Sequence, residues 1–223
     1  MLINFILNLF LPLRCFACGA PKSVLCAKCA REREPAEPID APLTYARFAY
    51  RDPVVRKMIW ALKYRGVTAV GERVGGLLYD YLTEELSEVS LLNGGDQDFL
   101  IIPIPLSPAR ARARGYNQAT ALARGFQKRG GGLARHGGGN FVITEDLLYR
   151  TRDTGSQTEI KERSKRLKNM KDAFKINDSE MIKGKQIIII DDVTTTGATL
   201  AEARRALEGG GAKIVLATAI AHG

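Results

Sequence analysis

Two stretches of this 223-residue chain combine residue types and spacing that could do chemistry. The first is IIIIDDVTTTGAT, residues 187–199. Four branched apolar residues in a row suit the centre of a parallel sheet, where a strand is buried on both faces. Such a strand delivers Asp191 and Asp192 to the carboxyl edge of the sheet, where open α/β folds bind ligands. The residues that follow read as a tight turn opening a helix near Thr199. Gly197 lets the backbone approach a ligand closely. Backbone N–H groups at the helix N-terminus favour a phosphate there, and the hydroxyls of Thr195, Thr196 and Thr199 add donors. The carboxylates repel a phosphate but suit sugar hydroxyls or a hard divalent cation such as Mg²⁺. One loop can therefore hold a ribose 2′,3′-diol and a 5′-phosphate together. The plainer alternative is an acidic turn that caps a helix, which does not require paired acids after four apolar residues.

The second stretch is Cys15-x2-Cys18 followed by Cys26-x2-Cys29. Each C-x2-C turn can place two thiolates on one metal, and two such turns complete a tetrahedral zinc site. Four thiolates leave no open position, so the metal would be structural. Disulfides and free buried thiols are the alternatives. Disulfides are disfavoured in a chain without an export signal, and a redox pair would explain one C-x2-C but not two.

Composition sets the surroundings. Lysine and arginine outnumber acids 33 to 24, giving a net charge of +9, which suits an anionic partner: a phosphate-rich small molecule or nucleic acid. Solubility alone is the bland reading. The opening MLINFILNLFLPL is apolar but lacks a basic start and a cleavage site, and is shorter than the ~20 residues of a membrane span. It is expected to pack on the body as a helix or strand, and the expected location is the cytoplasm.

The elements that must position these residues can be traced along the chain. Residues 1–42 form a cysteine-bearing module ending in the proline-rich linker PAEPIDAP, and residues 43–223 form an α/β domain. Helical spacing covers 54–64, 67–86 and 117–128. FLIIPIP (99–105) reads as a buried strand stopped by proline. GGGLARHGGG (130–139) reads as a flexible loop, and 157–171 as part loop, part helix. A strand over 186–190, a helix over 199–208 and a strand over 213–220 complete the series.

IIIIDDVTTTGAT resembles the phosphoribosyl pyrophosphate (PRPP) signature of type I phosphoribosyltransferases. LKYRG (62–66), PIPLSPARARARGYNQATALA (103–123), RTRDTGSQTEIKERSKRLKNMKDAF (150–174) and the cysteine ribbon resemble the ComF competence-protein family. Ser107 departs from that pattern, standing where many members carry histidine. The resemblance implies an α/β fold of the type I phosphoribosyltransferase class, a parallel sheet flanked by helices with a small N-terminal zinc ribbon.

It also implies a map of the site. Residues Val193, Thr194, Thr195, Thr196, Gly197, Ala198 and Thr199 would form the phosphate loop. Leu106, Ser107, Arg114, Gly115, Arg150, Arg152 and Gln157 would lie on the pyrophosphate side. Arg163, in the mobile loop, would act in catalysis with Asp191 and Asp192. Lys63, Tyr64 and Arg65 would belong to the hood over the second substrate. Two local readings stay open. Asn117 either caps the following helix or lines the site, and Arg110 and Arg112 either face the ligand or are merely solvated.

The expected function is Mg²⁺-dependent binding of PRPP and transfer of its phosphoribosyl group to an acceptor that the sequence does not name. A role in DNA uptake, alongside other competence proteins, follows from the resemblance. The alternative is a non-catalytic module that binds PRPP or single-stranded DNA. A purely structural adaptor would not need the intact Asp-Asp–Thr loop.

Overall fold

The computed structural model describes residues 13–86, 98–131, 140–151 and 172–223. Helix α1 is Ala27–Arg31, strand β1 Thr44–Ala49, helix α2 Pro53–Tyr64 and helix α3 Thr68–Glu85. Strand β2 (Phe99–Pro103) leads to short helix α4 (Pro108–Arg114) and helix α5 (Gln118–Gly131). Strands β3 (Phe141–Ile143), β4 (Leu148–Arg150), β5 (Phe174–Ile176) and β6 (Gln186–Thr194) come next, then helix α6 (Ala198–Gly209) and strand β7 (Ile214–His222). The main sheet is parallel throughout, in the order β1-β7-β6-β2-β3, and β4 and β5 form a separate antiparallel pair.

β6 is central, and its sequence explains why. Ile187 to Ile190 have no exposed surface. Side chains alternate across a strand, so Ile188 and Ile190 join one hydrophobic cluster with α2, α3 and α5, whereas Ile187 and Ile189 join the other with α6 and the β4–β5 pair. Helices on both faces leave no wet side, as a four-isoleucine run requires.

α3 and α5 approach each other through glycines. A Cβ on Gly75 would lie 2.0 Å from the Leu122 carbonyl oxygen, and one on Gly125 would lie 2.2 Å from that of Glu72. Gly125→Ala is therefore expected to lower stability by about 3 kcal/mol, because neither helix backbone can give way. Denaturant unfolding would measure it, and a loss near zero would contradict the packing.

Several boundaries differ from the sequence expectation. The glycine-rich stretch does not begin as a loop: Gly130 and Gly131 still belong to α5. A Cβ at Gly130 would meet the rings of Phe141 and Tyr79 at 2.7 Å, so glycine serves a helix packed on aromatics there. The expected strand 186–190 runs on to Thr194, because β7 keeps pairing with it to Thr194↔His222. Short α4 lies where the sequence reading placed no element. Ser107 caps it, accepting from the Arg110 N–H, and Pro108 occupies its first turn.

Residues 35–42 are no loose linker. Pro35 bridges Phe48, the Ala49 N–H donates to the Glu34 carbonyl at 2.9 Å, and Arg204 donates to the carbonyls of Pro42 and Leu43. The cysteine module shares its core with the sheet domain: Cys15, Val24, Leu25, Cys29 and Ala30 fall in the same cluster as α2 and α3. Residues 1–12 and 157–171 lie outside the described residues. Among the described residues no helix is long and apolar enough to cross a membrane.

Candidate functional site

The chain leaves β2 for α5 on one face of the sheet and leaves β6 for α6 on the other. β2 and β6 are neighbours, so their carboxyl ends form a topological switch point, where a crevice opens between diverging connections. The Ile104 N–H donates to the Ile190 carbonyl at 2.9 Å. That bond extends the pairing past Pro103 and brings residues 104–107 beside the acidic pair.

Strand alternation sends the two carboxylates apart. Asp192 follows Ile188 and Ile190 toward the helix face, where the Lys63 ammonium pairs with its Oδ1 at 3.0 Å. Its Oδ2 is buried without a hydrogen-bond partner. A buried carboxylate oxygen in that condition is costly to the apo fold and ready to accept from a ligand hydroxyl or a cation. This orphan oxygen fits the donor set that sugar hydroxyls or Mg²⁺ require.

Asp191 sits half-buried one residue earlier. Burial, and then the charge of Asp192, push its pKa up to about 7. The Asp192 N–H, donating to its Oδ1 at 2.7 Å, and the nearby cations Lys63 and Arg150 offset this only in part. The folded chain therefore holds a proton that the unfolded chain has already released between the ordinary carboxyl range and about pH 7. On this account stability falls as pH rises through that window and levels off above it. Asp191→Asn is accordingly expected to be more stable than wild type at pH 8, with the difference shrinking toward pH 5. Melting curves across that range check the sign, and a pH-independent difference would contradict it.

Gly197 adopts φ +73°, the left-handed region, and forms the N-cap of α6. The sequence expectation gave this glycine close backbone approach to a ligand. Among the described residues, the Ile39 Cγ2 at 3.7 Å is the near neighbour of a Cβ there, and the positive φ by itself favours glycine. The Thr196 hydroxyl accepts from the Ala198 N–H at 3.4 Å. Thr194 is buried within β6, and half-buried Val193 packs on the helix-face cluster. The open turn is thus Thr195 to Gly197, with Ala198 and Thr199 starting the helix.

On the β2 side, Ser107 is fully buried and its hydroxyl is committed to capping α4. Leu106 is half-buried. Gly115 closes α4 at φ +70°. Arg114 bonds Gln118 Oε1 at 2.9 Å, and its guanidinium lies 5.5 Å from the Tyr64 ring centre. Residues expected on the pyrophosphate side and in the hood thus meet. Tyr64 is 62% exposed, and its ring centre also lies 5.8 Å from that of Trp60. Arg65 lies over the Trp60 ring. Asn117 uses both ends of its amide structurally: Oδ1 accepts from the Ala119 N–H and Nδ2 donates to the Ile104 carbonyl, each at 3.0 Å. It caps α5 and fixes the loop after β2. Arg152, Gln157 and Arg163 lie outside the described residues.

Tyr116 is the site residue that sequence reasoning passed over. Partial burial raises its pKa, the Arg114 charge lowers it and the Asp192 charge raises it, so this half-buried side chain lies within electrostatic reach of Asp192. Its place between Arg114 and the Asn117 cap in RGYNQ was the available signal.

The cysteines converge. The Sγ atoms of Cys15, Cys18, Cys26 and Cys29 all lie within 4.8 Å of one another. None is in a disulfide. The first pair lies on a turn closed by the Gly19 N–H on the Cys15 carbonyl, while the second opens α1, with Cys26 as N-cap. Burial of Cys15 disfavours its thiolate, but N–H groups of Cys18, Cys26 and Ala17 overcome this and bring its pKa to about 6. Hydrogen bonding to Cys26, then burial, push Cys29 up to about 12. Four sulfurs this close resist ionising together unless a cation sits among them, so the set fits a structural zinc.

Comparison with known proteins places the fold. A family described as phosphoribosyl transferase domain matches residues 113–223. The DNA utilization protein YhgH of Escherichia coli is 27% identical over 90% of this chain and 80% of its own. The competence protein ComFC of Bacillus subtilis is 29% identical over 86% of this chain and 70% of its own. That of Streptococcus pneumoniae is 33% identical over 60% of this chain and half of its own. Similarity over nine tenths of the chain reaches well beyond the matched domain, and the relatives' names support the resemblance to the ComF family.

Proposed function

We propose that this protein binds Mg²⁺-PRPP at the β2–β6 crevice and transfers its phosphoribosyl group to a nitrogen nucleophile. The observation that carries the reading is the orphaned, buried Oδ2 of Asp192 beside a left-handed glycine turn at a sheet switch point. Asp191 and Asp192 accept from the ribose hydroxyls, and the Thr195–Thr199 turn donates to the 5′-phosphate. Arg114 and Arg150 supply positive charge on the pyrophosphate side, the side to which the family resemblance also assigns Arg152, Gln157 and Arg163. Lys63 would exchange its Asp192 partner for a place beside bound ligand.

Asp191 and Asp192 would help to hold Mg²⁺, which when bound would supply charge neutralisation for the departing pyrophosphate. The bond between C1 and pyrophosphate breaks as the acceptor's lone pair forms the new bond at C1, through an oxocarbenium-like state. The protein's own part is to hold the sugar, offset the leaving charge and exclude water. No side-chain nucleophile is needed, in keeping with a chain of only two histidines. Incubation with PRPP and a panel of bases and amines, scored by acceptor-dependent pyrophosphate release, tests transfer. Pyrophosphate release that stays at the buffer rate with every acceptor would point to binding without transfer.

A second reading is favoured by the relatives' names, DNA utilization and competence, and by the net charge of +9. It makes the protein a PRPP- or single-stranded-DNA-binding component of DNA uptake. Its mark would be DNA affinity that falls steeply with salt.

A further inference from the structure

His222, at the end of β7, faces two backbone carbonyls. Its Nε2 lies 2.9 Å from the Thr195 oxygen and its Nδ1 3.0 Å from the Glu37 oxygen. Thr195 belongs to the open turn of the candidate site, and Glu37 belongs to the strap that descends from the cysteine module. The ring is held in place from behind. The His222 carbonyl accepts from the Tyr50 N–H at 2.8 Å, and the Gly223 N–H donates to the Thr194 carbonyl at 3.2 Å. The same strap touches the turn again where Ile39 meets Gly197.

We infer that His222 is a positioning residue of the phosphate turn, fixing the Thr195–Thr196 peptide and joining it to the strap from the cysteine module. The reasoning rests on peptide geometry. In a planar trans peptide the carbonyl and the following N–H point in opposite directions. A Thr195 carbonyl drawn to His222 turns the Thr196 N–H to the side away from the strap. That orientation presents a donor to a phosphate instead of burying it. Carbonyl oxygens only accept, so the bond to Thr195 needs the ring proton on Nε2, and the Glu37 contact becomes a bond as well only when Nδ1 also carries a proton. Without the ring the peptide is free to rotate, and the turn loses one fixed donor. The strap is anchored on both sides of Glu37, by the Pro35–Phe48 bridge and by Arg204 on Pro42 and Leu43. It can therefore hold the ring without drifting. This assignment deepens the proposed PRPP site and rests on that reading for its ligand.

The test compares His222→Phe, which lacks both ring nitrogens, with His222→Gln, whose amide can still donate to Thr195. Two ligand fragments are titrated, ribose 5-phosphate and inorganic pyrophosphate. His222→Phe should weaken ribose 5-phosphate by about 10-fold, the scale of one lost hydrogen bond, and leave pyrophosphate unchanged. His222→Gln should restore most of the loss. Equal weakening of both fragments, or none, overturns the assignment.

Amide exchange without ligand keeps the assignment separable from the PRPP reading. Ala198, whose N–H bonds the Thr196 hydroxyl, should exchange faster in His222→Phe than in wild type, and near the wild-type rate in His222→Gln. Unchanged exchange at Ala198 overturns the positioning role whatever the ligand proves to be. Wild-type protein that binds neither fragment, but shows the exchange pattern, overturns the PRPP reading alone.

Discussion

Replacing both Asp191 and Asp192 by asparagine is expected to abolish binding of Mg²⁺-PRPP while the sheet stays folded. Each carboxylate would lose a hydrogen bond to a charged acceptor, worth roughly 1.5–3 kcal/mol, so the pair should weaken binding at least about 100-fold. The fold should survive because what Asp192 loses in its Lys63 ion pair is offset by relieving two disfavoured carboxylates. Asp191 is held above its ordinary pKa by burial and by Asp192, and Asp192 carries an unpartnered buried oxygen. Asparagine keeps the shape and removes the like-charge contact. Circular dichroism would report the intact fold, and titration would report the lost ligand. A folded double variant that keeps its affinity would remove the acidic pair from the site.

The second large effect concerns the four cysteines. Structural zinc contributes on the order of 10–16 kcal/mol of apparent folding energy in small cysteine modules. Here the module is continuous with the main core: Leu25 is fully buried, and Arg73 donates to its carbonyl at 2.9 Å. Arg33 pairs with Asp52, the residue that caps α2. α2 ends at Lys63 and Tyr64. Loss of the metal should therefore lower the melting temperature of the whole protein and loosen the hood. Cys29→Ser is expected to abolish bound zinc, measured by metal analysis of reduced protein. It should also expose apolar surface to a dye. Unchanged melting, or wild-type protein without zinc, would contradict the structural role.

Much of this was legible in the sequence because it depends on local pattern. The isoleucine run, the C-x2-C spacing and the helical periodicity of 54–64 each encode their element within a few residues. The acidic pair could be assigned to a sheet edge because a strand apolar on both faces has one place to be.

What could not be read depends on contacts between distant parts of the chain. Lys63 meets Asp192 only because α2 packs over the end of β6. Strand alternation aims the two acids at different faces, a consequence of β6 continuing to Thr194 when isoleucines alone suggested an end at 190. Gly130 looks like a loop residue by composition, and only the aromatic rings pressed against it make it helical. His222 carries no local sequence signal of its contacts. Its role follows from the β6–β7 register, which sets it beside Thr194, and from the path of the strap. Residues 35–42 read as a linker because proline and acid content carry no record of Arg204, which pins them from over 160 positions away.

The central claim is that the β2–β6 crevice is a PRPP site, and isothermal titration of the purified zinc-loaded protein with PRPP tests it most directly. Titrations with and without Mg²⁺ should show saturable binding that depends on the metal. No heat and no saturation in either condition would contradict the claim and make single-stranded DNA the leading ligand.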